Sequence, residues 1–286
     1  MSTPISTAAV LGAGTMGHGI AHVAATSGMK VVLYDIEQSA AERGIASIQK
    51  NLEKGVAKAK ITEEAKNEAL ENLTTSTNLE EAVSSAQLVV EAAPERLELK
   101  QSIFKQIDSI APKDAIFGTN TSSLSITKIA SVCSHPERVL GMHFFNPPHI
   151  LKLLELIKTE HTSEAALAQA KAIGEQMGRD LIVINDSPGF ATSRLGLVIG
   201  LEAMRMLEEG VGSAEDIDRA MELGYRHPMG PLRLTDLVGL DVRLDIAKYL
   251  HRELGGNRFD PPKVLQELVE AGKLGKKSGQ GFYKWD

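Results

Sequence analysis

The stretch Thr7–Asp35, TAAVLGAGTMGHGIAHVAATSGMKVVLYD, changes character three times. It opens on a short apolar run suited to a buried strand and passes through glycines at Gly12, Gly14 and Gly17. An alanine-rich run with helical periodicity follows, and KVVLYD closes it with a second strand pattern. Strand, turn, helix and strand within about 30 residues make one crossover unit.

The glycine spacing is Gly-x-Gly-x-x-Gly, a weak pattern by itself and a stronger one between a strand and a helix. Gly12 permits a tight turn, Gly14 lets backbone approach a pyrophosphate, and Gly17 lets the helix pack on the strand while its N-terminus faces the anion. Thr15 and Met16, inside the same turn, count with the cofactor-binding residues. Asp35 ends the second strand, where a carboxylate can accept both hydroxyls of an adenosine ribose. A 2′-phosphate there would meet Asp35 with Glu37 close behind, and charges about 4 Å apart repel by several kcal/mol at moderate dielectric. NAD is therefore expected over NADP, with Arg43 as a partial offset that leaves some NADPH use open. The plainer reading has the glycines serving only a turn and Asp35 only a solvated strand end.

Outward from this unit, 286 residues correspond to two domains at the usual size. Apolar residues at 43% and charged ones at 24% describe a globular chain with material for a core. A net charge of −6 with no basic cluster argues against a nucleic-acid partner. The single cysteine, Cys133, excludes an internal disulfide and a cysteine zinc cage, and suits a reducing cytosol. No metal is expected. The early start of strand pattern and the lack of a long apolar run argue against secretion and a membrane partner.

The charged stretch from about Ser39 to Leu73 reads as one or two long helices. Lys50 and Lys54 share a face of it, either as a grip on substrate phosphates or as a solvated surface balanced by Glu53, Glu63 and Glu64. AQLVVEAAPERLELKQSIF then reads as a strand ending at Glu91 and a helix from near Glu95. DAIFGTNTSSLSITKIA reads as strand, polar loop and helix, and RVLGMHFFNPP as another strand. Such alternation predicts a parallel sheet covered on both faces, with ligands at the carboxyl ends of its strands. Glu95, Asn120, Ser122 and His143 all fall there, although Ser122, Ser123 and Ser125 are also ordinary turn and cap residues.

Leu140–Ile157, LGMHFFNPPHILKLLELI, carries His143 and Glu155 into an apolar, strand-like setting. A buried carboxylate needs a partner. If Pro147-Pro148 turns the chain back, His143 and Glu155 become that pair. After LIVINDSPGF only helical periodicity is left, so the domain boundary falls at Asp186-Ser187-Pro188, giving domains 1–186 and 187–286. Ser213 with Asp216 three residues on resembles a capping box.

GAGTMGHGIA, EAAPERLELK, TNTSSLSI, GMHFFNPP, LLELI, DSPGF and HPMGPLRLTDLVGLD…GKLGKKSGQGFYKW occur in order along nearly the whole chain. Together they resemble the L-3-hydroxyacyl-CoA dehydrogenase family, in its short stand-alone form close to bacterial 3-hydroxybutyryl-CoA dehydrogenases. The resemblance implies a Rossmann-type doubly wound α/β domain that binds NAD, an all-helical C-terminal domain for substrate and homodimerisation, and an active site in the cleft between them. It implies interconversion of (S)-3-hydroxyacyl-CoA and 3-ketoacyl-CoA, on short chains such as 3-hydroxybutyryl-CoA and acetoacetyl-CoA. The family's catalytic histidine falls on His143 and its partner glutamate on Glu155. Ser122 then meets the substrate oxygen, Asn120 lies near the nicotinamide, and Glu95 and Lys100 match cofactor-contacting positions. Lys50 and Lys54 correspond approximately to lysines near the CoA phosphates. The family's asparagine in D-x-P-G-F-x-x-N-R is Ser193 here, a shorter group with one hydroxyl in place of an amide. Sugar-acid 3-dehydrogenases resemble the same family, and a non-catalytic dinucleotide-binding protein is a third reading that the retained His143 and Glu155 disfavour.

Overall fold

The structure is a computed structural model, and it describes residues 4–285. The chain forms two compact units, the first ending at Asp186 and the second beginning at Ser187.

In the first unit the elements run β1 (Thr7–Leu11), α1 (Thr15–Thr26), β2 (Lys30–Tyr34), α2 (Gln38–Ala57), α3 (Glu63–Glu71) and β3 (Leu73–Ser76). They continue through α4 (Leu79–Val83), β4 (Leu88–Glu91), α5 (Leu97–Ile110), β5 (Ile116–Thr119), α6 (Ile126–Ala130) and β6 (Val139–Phe144). β7 (Leu153–Lys158), α7 (Glu164–Gln176) and β8 (Asp180–Asn185) complete it. The sheet has 8 strands in the order β3-β2-β1-β4-β5-β6-β7-β8. All pairs are parallel except β6–β7, which is antiparallel. From β1 the chain winds outward to β3, then returns to lay β4 beside β1. That reversal leaves a crevice at the carboxyl ends of β1 and β4, where α/β sheets receive ligands.

The continuous apolar strands are explained by burial on both faces. Ala8 and Val10 of β1 and Leu88 and Val90 of β4 face a core shared with α1, α2 and α7. On the other face Phe104 of α5 meets Phe117 of β5 edge-on at 6.1 Å. A Cβ on Gly141 would stand 3.1 Å from Ile126, so α6 covers β6 there. Leu140, Met142 and Phe144 belong to the first core, and alternation turns Gly141 and His143 to the second face.

One feature differs from the sequence reading. The Ser39–Leu73 stretch holds two helices, and Leu73 begins a strand that was not expected. β3 reads LTTS, with one large apolar residue, and is specified by parallel pairing with β2 rather than by its own pattern. The β6–β7 pair is antiparallel, the arrangement that a turn back at Pro147-Pro148 requires.

The second unit contains α8 (Thr192–Glu208), α9 (Ala214–Arg219), α10 (Pro231–Val238), α11 (Leu240–Leu254) and α12 (Lys263–Glu270). Among its described residues, β pairing is confined to isolated bridges at Gly275, Gln280 and Lys284. Leu197, Leu201 and Met204 of α8 pack with Leu232, Leu244, Leu250 and Leu265 in its core. The run PLRLTDLVGLDVRLDIAKYL is broken into α10 and α11 at Gly239, whose φ of +108° a side chain would strain. Ser213 caps α9 by accepting from the Asp216 amide at 3.1 Å, and its hydroxyl donates to the Asp216 carboxylate at 2.8 Å. None of the described helices is long and apolar enough to cross a membrane.

Candidate active site

The glycine turn leaves β1 at the crevice. Gly12 has φ +100°, and a Cβ on it would lie 2.9 Å from the Ala92 carbonyl oxygen after β4. Gly17 packs so tightly that a Cβ would fall 1.6 Å from the Gly12 carbonyl oxygen. Gly14 is the opposite case, with nothing within 4 Å of the added atom. Gly14 is also the N-cap of α1, with no side-chain cap and no acidic residue in the first turn. The first-turn amides and the positive end of the helix are therefore available to an anion.

Asp35, directly after β2, accepts from the Ala13 amide at 2.8 Å through Oδ2 and from the Glu37 amide at 3.1 Å through Oδ1. The carboxylate and the glycine turn are thus one assembly. Burial and the Asp35 charge push the neighbouring Tyr34 phenol up from its ordinary value. A cavity of about 260 Å³ is lined by Gly14, Thr15, His18, Asp35, Arg43 and Ser47. Thr15 is exposed there, while the Met16 side chain packs against the core.

At the ends of β4 and β5 a buried ion pair organises the strand ends. Lys100 is fully buried, and its ammonium holds Glu91 Oε1 at 2.8 Å, Glu91 Oε2 at 3.0 Å and the Ala93 carbonyl at 3.2 Å. It acts as the counter-ion that lets Glu91 be buried. Glu91 also accepts from the Thr119 hydroxyl at 2.6 Å and the Ala93 amide at 2.6 Å. Glu95 lies 3.6 Å from the same ammonium with its side chain 41% exposed. It accepts from the Thr121 hydroxyl and, at 3.0 Å, from the Ser122 amide, and so shapes the loop that presents Ser122. Asn120 Oδ1 accepts from the Phe144 amide at 2.8 Å, fastening the end of β5 beside His143. Ser125 is the cap of α6, as the plainer reading allowed.

His143 and Glu155 stand directly opposite each other in the β6–β7 register. On antiparallel strands such residues point to one face, and their side chains meet: Nδ1 lies 2.6 Å from Glu155 Oε2. His143 is 5% exposed and Glu155 is fully buried. A hydrogen bond to a carboxylate on Nδ1 sets the tautomer and orients the ring.

The first unit thus brings Gly12, Gly14, Thr15, Gly17, Asp35, Glu95, Asn120, Ser122, His143 and Glu155 to the carboxyl ends of its parallel strands. Lys50 and Lys54 stand apart, exposed on α2. Ser193 lies on the first turn of α8 in the second unit. Sequence reasoning missed Thr121 as an organiser of the Ser122 loop and Glu91 as the partner of Lys100, since only the contacts of the folded chain reveal them. It also missed His22 and His149, whose rings meet across elements far apart in the chain.

The 3-hydroxyacyl-CoA dehydrogenase NAD-binding domain model matches residues 7–187, and the family's C-terminal domain model matches residues 189–285. A probable 3-hydroxybutyryl-CoA dehydrogenase of Bacillus subtilis is 43% identical over 97% of this chain and 96% of its own length. A 3-hydroxyadipyl-CoA dehydrogenase of Escherichia coli is 42% identical over 100% of this chain and 60% of its own length. The crystal structure of (S)-3-hydroxybutyryl-CoA dehydrogenase from Ralstonia eutropha superposes with a TM-score of 0.95 at 41% identity, covering 99% of both chains. The buried histidine–glutamate pair, the glycine turn and full-length similarity converge, and the chain belongs to the 3-hydroxyacyl-CoA dehydrogenase family.

Proposed function

We propose that this chain is an NAD-dependent oxidoreductase interconverting (S)-3-hydroxyacyl-CoA and 3-ketoacyl-CoA, with short chains such as 3-hydroxybutyryl-CoA and acetoacetyl-CoA as substrates. The observation that carries the reading is the buried 2.6 Å contact between His143 Nδ1 and Glu155 Oε2. With Nδ1 held by Glu155, Nε2 is the nitrogen that exchanges a proton with the 3-hydroxyl. In oxidation His143 takes that proton and Glu155 stabilises the resulting imidazolium; in reduction the imidazolium returns it. Such acid–base assistance contributes about 10²–10⁴-fold in rate.

The open space at Gly14, the uncapped end of α1 and the anchored Asp35 carboxylate fit NAD. NAD when bound supplies the hydride acceptor. Gly12, Gly14 and Gly17 shape its pyrophosphate seat, Asp35 takes the ribose, and Thr15 and Glu95 border it. Asn120 and Ser122 orient the reacting groups, Ser122 through its hydroxyl against the substrate oxygen. Lys50 and Lys54 grip CoA phosphates, and Ser193 substitutes for an asparagine in the substrate domain. Residues 1–186 form the NAD-binding domain and 187–286 the substrate and dimerisation domain.

A homodimer is supported by apolar residues exposed on the second unit, among them Leu195, Val211, Leu223, Tyr225 and Leu237. They accompany a groove of about 470 Å³ lined by Val198, Met206, Met221, Tyr225 and Pro231. An exposed apolar area of this kind marks an interaction surface. Soluble thioester chemistry and a buried lone thiol suit the cytosol.

The test is loss of NADH absorbance on mixing the protein with acetoacetyl-CoA, beside NADPH and beside His143→Ala. Oxidation of NADH that disappears in the variant is the expected result. Bound NADH with no turnover overturns it and directs the assay to sugar acids.

A further inference from the structure

α1 carries His18 and His22 one turn apart, and the turn from β6 to β7 carries His149. The rings of His22 and His149 are stacked, with centroids 5.0 Å apart and planes inclined by 6°. His22 is 7% exposed, and Nδ1 of each ring is buried with no hydrogen-bond partner among the described residues. A neutral imidazole tolerates this by leaving that nitrogen as a bare acceptor, whereas an imidazolium would bury an unsatisfied N–H.

The stack is one of several fastenings on this turn. Pro148 presses on α1 at Gly19, where a Cβ would lie 2.6 Å from Pro148 Cδ. Arg179 Nη1 donates to the carbonyls of Pro148 and Leu151 at 2.8 and 3.2 Å. The Ile150 and Leu151 amides donate to the Pro147 carbonyl at 2.9 and 3.0 Å. The turn begins two residues after His143 and ends three before Glu155, so its seat on α1 bears on both.

We propose that the His22–His149 stack is a positioning clamp, tying the turn that joins His143 to Glu155 onto the helix that opens the dinucleotide site. Its weakness is added charge. Burial, then His149 and His18, push His22 down to about 4, and burial, then His18 and Lys54 of α2, push His149 below its ordinary value. α3, which also packs on α1, carries Glu63, Glu64, Lys66, Glu68 and Glu71. Arg179 adds a further positive charge against the turn. A histidine held below its unfolded value favours the folded clamp fully above the ordinary histidine value of 6.5, and that contribution declines as pH falls toward about 4.

The kinetic consequence rests on the reading of His143 above, and the structural one does not. Ketoacyl-CoA reduction draws its proton from His143, and amide exchange does not depend on that step. The test compares wild type, His149→Ala and His149→Phe, which keeps a ring but cannot titrate, near neutral pH and at about pH 5. Amide exchange, corrected for intrinsic rates, should show His149→Ala losing about tenfold protection at Ile150 and Leu151 with the β6–β7 ladder unchanged. Wild type should show the same loss on acidification, and His149→Phe, in which only His22 of the stacked pair still titrates, should lose less. Turnover of acetoacetyl-CoA should fall severalfold in His149→Ala, be restored by His149→Phe near neutral pH, and fall further on acidification in wild type than in His149→Phe. Unchanged protection in His149→Ala, or His149→Phe losing protection with acid in step with wild type, overturns the clamp. Absent turnover in wild type overturns the proposed function, and exchange still decides the clamp.

Discussion

The glycine turn after β1 and the His143–Glu155 pair on β6 and β7 stand at the same end of one sheet but are made of different material. The turn is backbone: residues within six positions of one another, whose contribution is the absence of side chains. The pair is side chain: two buried ionisable groups twelve residues apart that meet only because two strands pair in one register. A slip of one residue would turn every side chain of β7 to the opposite face and leave Glu155 buried without its partner. A backbone site is thus protected by local geometry, and a side-chain site by the register of the whole hairpin.

The largest test of this contrast is at the pair. Glu155→Gln should lower kcat by about 10²-fold and His143→Ala by about 10²–10⁴-fold, while fluorescence titration shows NADH binding near wild type. Loss of NADH binding in either would show that the two sites are not separable. Next, Lys100→Met should destabilise the first unit by about 3–5 kcal/mol in denaturant unfolding, since it strands Glu91. A lysine that served the cofactor alone would leave stability unchanged and weaken only NADH.

The glycines sharpen the comparison further. Gly17→Ala forces an atom into a backbone carbonyl and should destabilise by about 1–3 kcal/mol. Gly14→Ala meets open space, so its unfolding midpoint should stay near wild type while NADH affinity falls about tenfold, read by calorimetric titration. The smallest effect belongs to α2. Lys50→Ala with Lys54→Ala should raise KM for acetoacetyl-CoA severalfold, less so at high salt, because exposed ion pairs contribute about 0.2–1 kcal/mol each. A salt-independent KM would return these lysines to a solvated surface.

Along the chain, legibility follows the range of the interactions. The Gly12–Asp35 unit was readable because its conformational demands lie within it, and the helices of the second unit because their periodicity repeats locally. Lys100 entered only through the family resemblance, and only the fold shows Glu91 taking its ammonium. β3 was missed because LTTS has no pattern without β2 beside it.

The amino-acid sequence by itself determined the doubly wound sheet, the preference for an anion at α1, the helical character after Gly189 and the two ionisable residues that demanded each other. These depend on periodicity, glycine's conformational freedom and the unfavourable burial of lone charge, all properties of short segments. Tertiary structure alone decided the antiparallel register that joins His143 to Glu155, the burial of Lys100 and the stacking of His22 on His149. Each brings together groups distant in the chain, and which distant groups meet is set by how the elements pack.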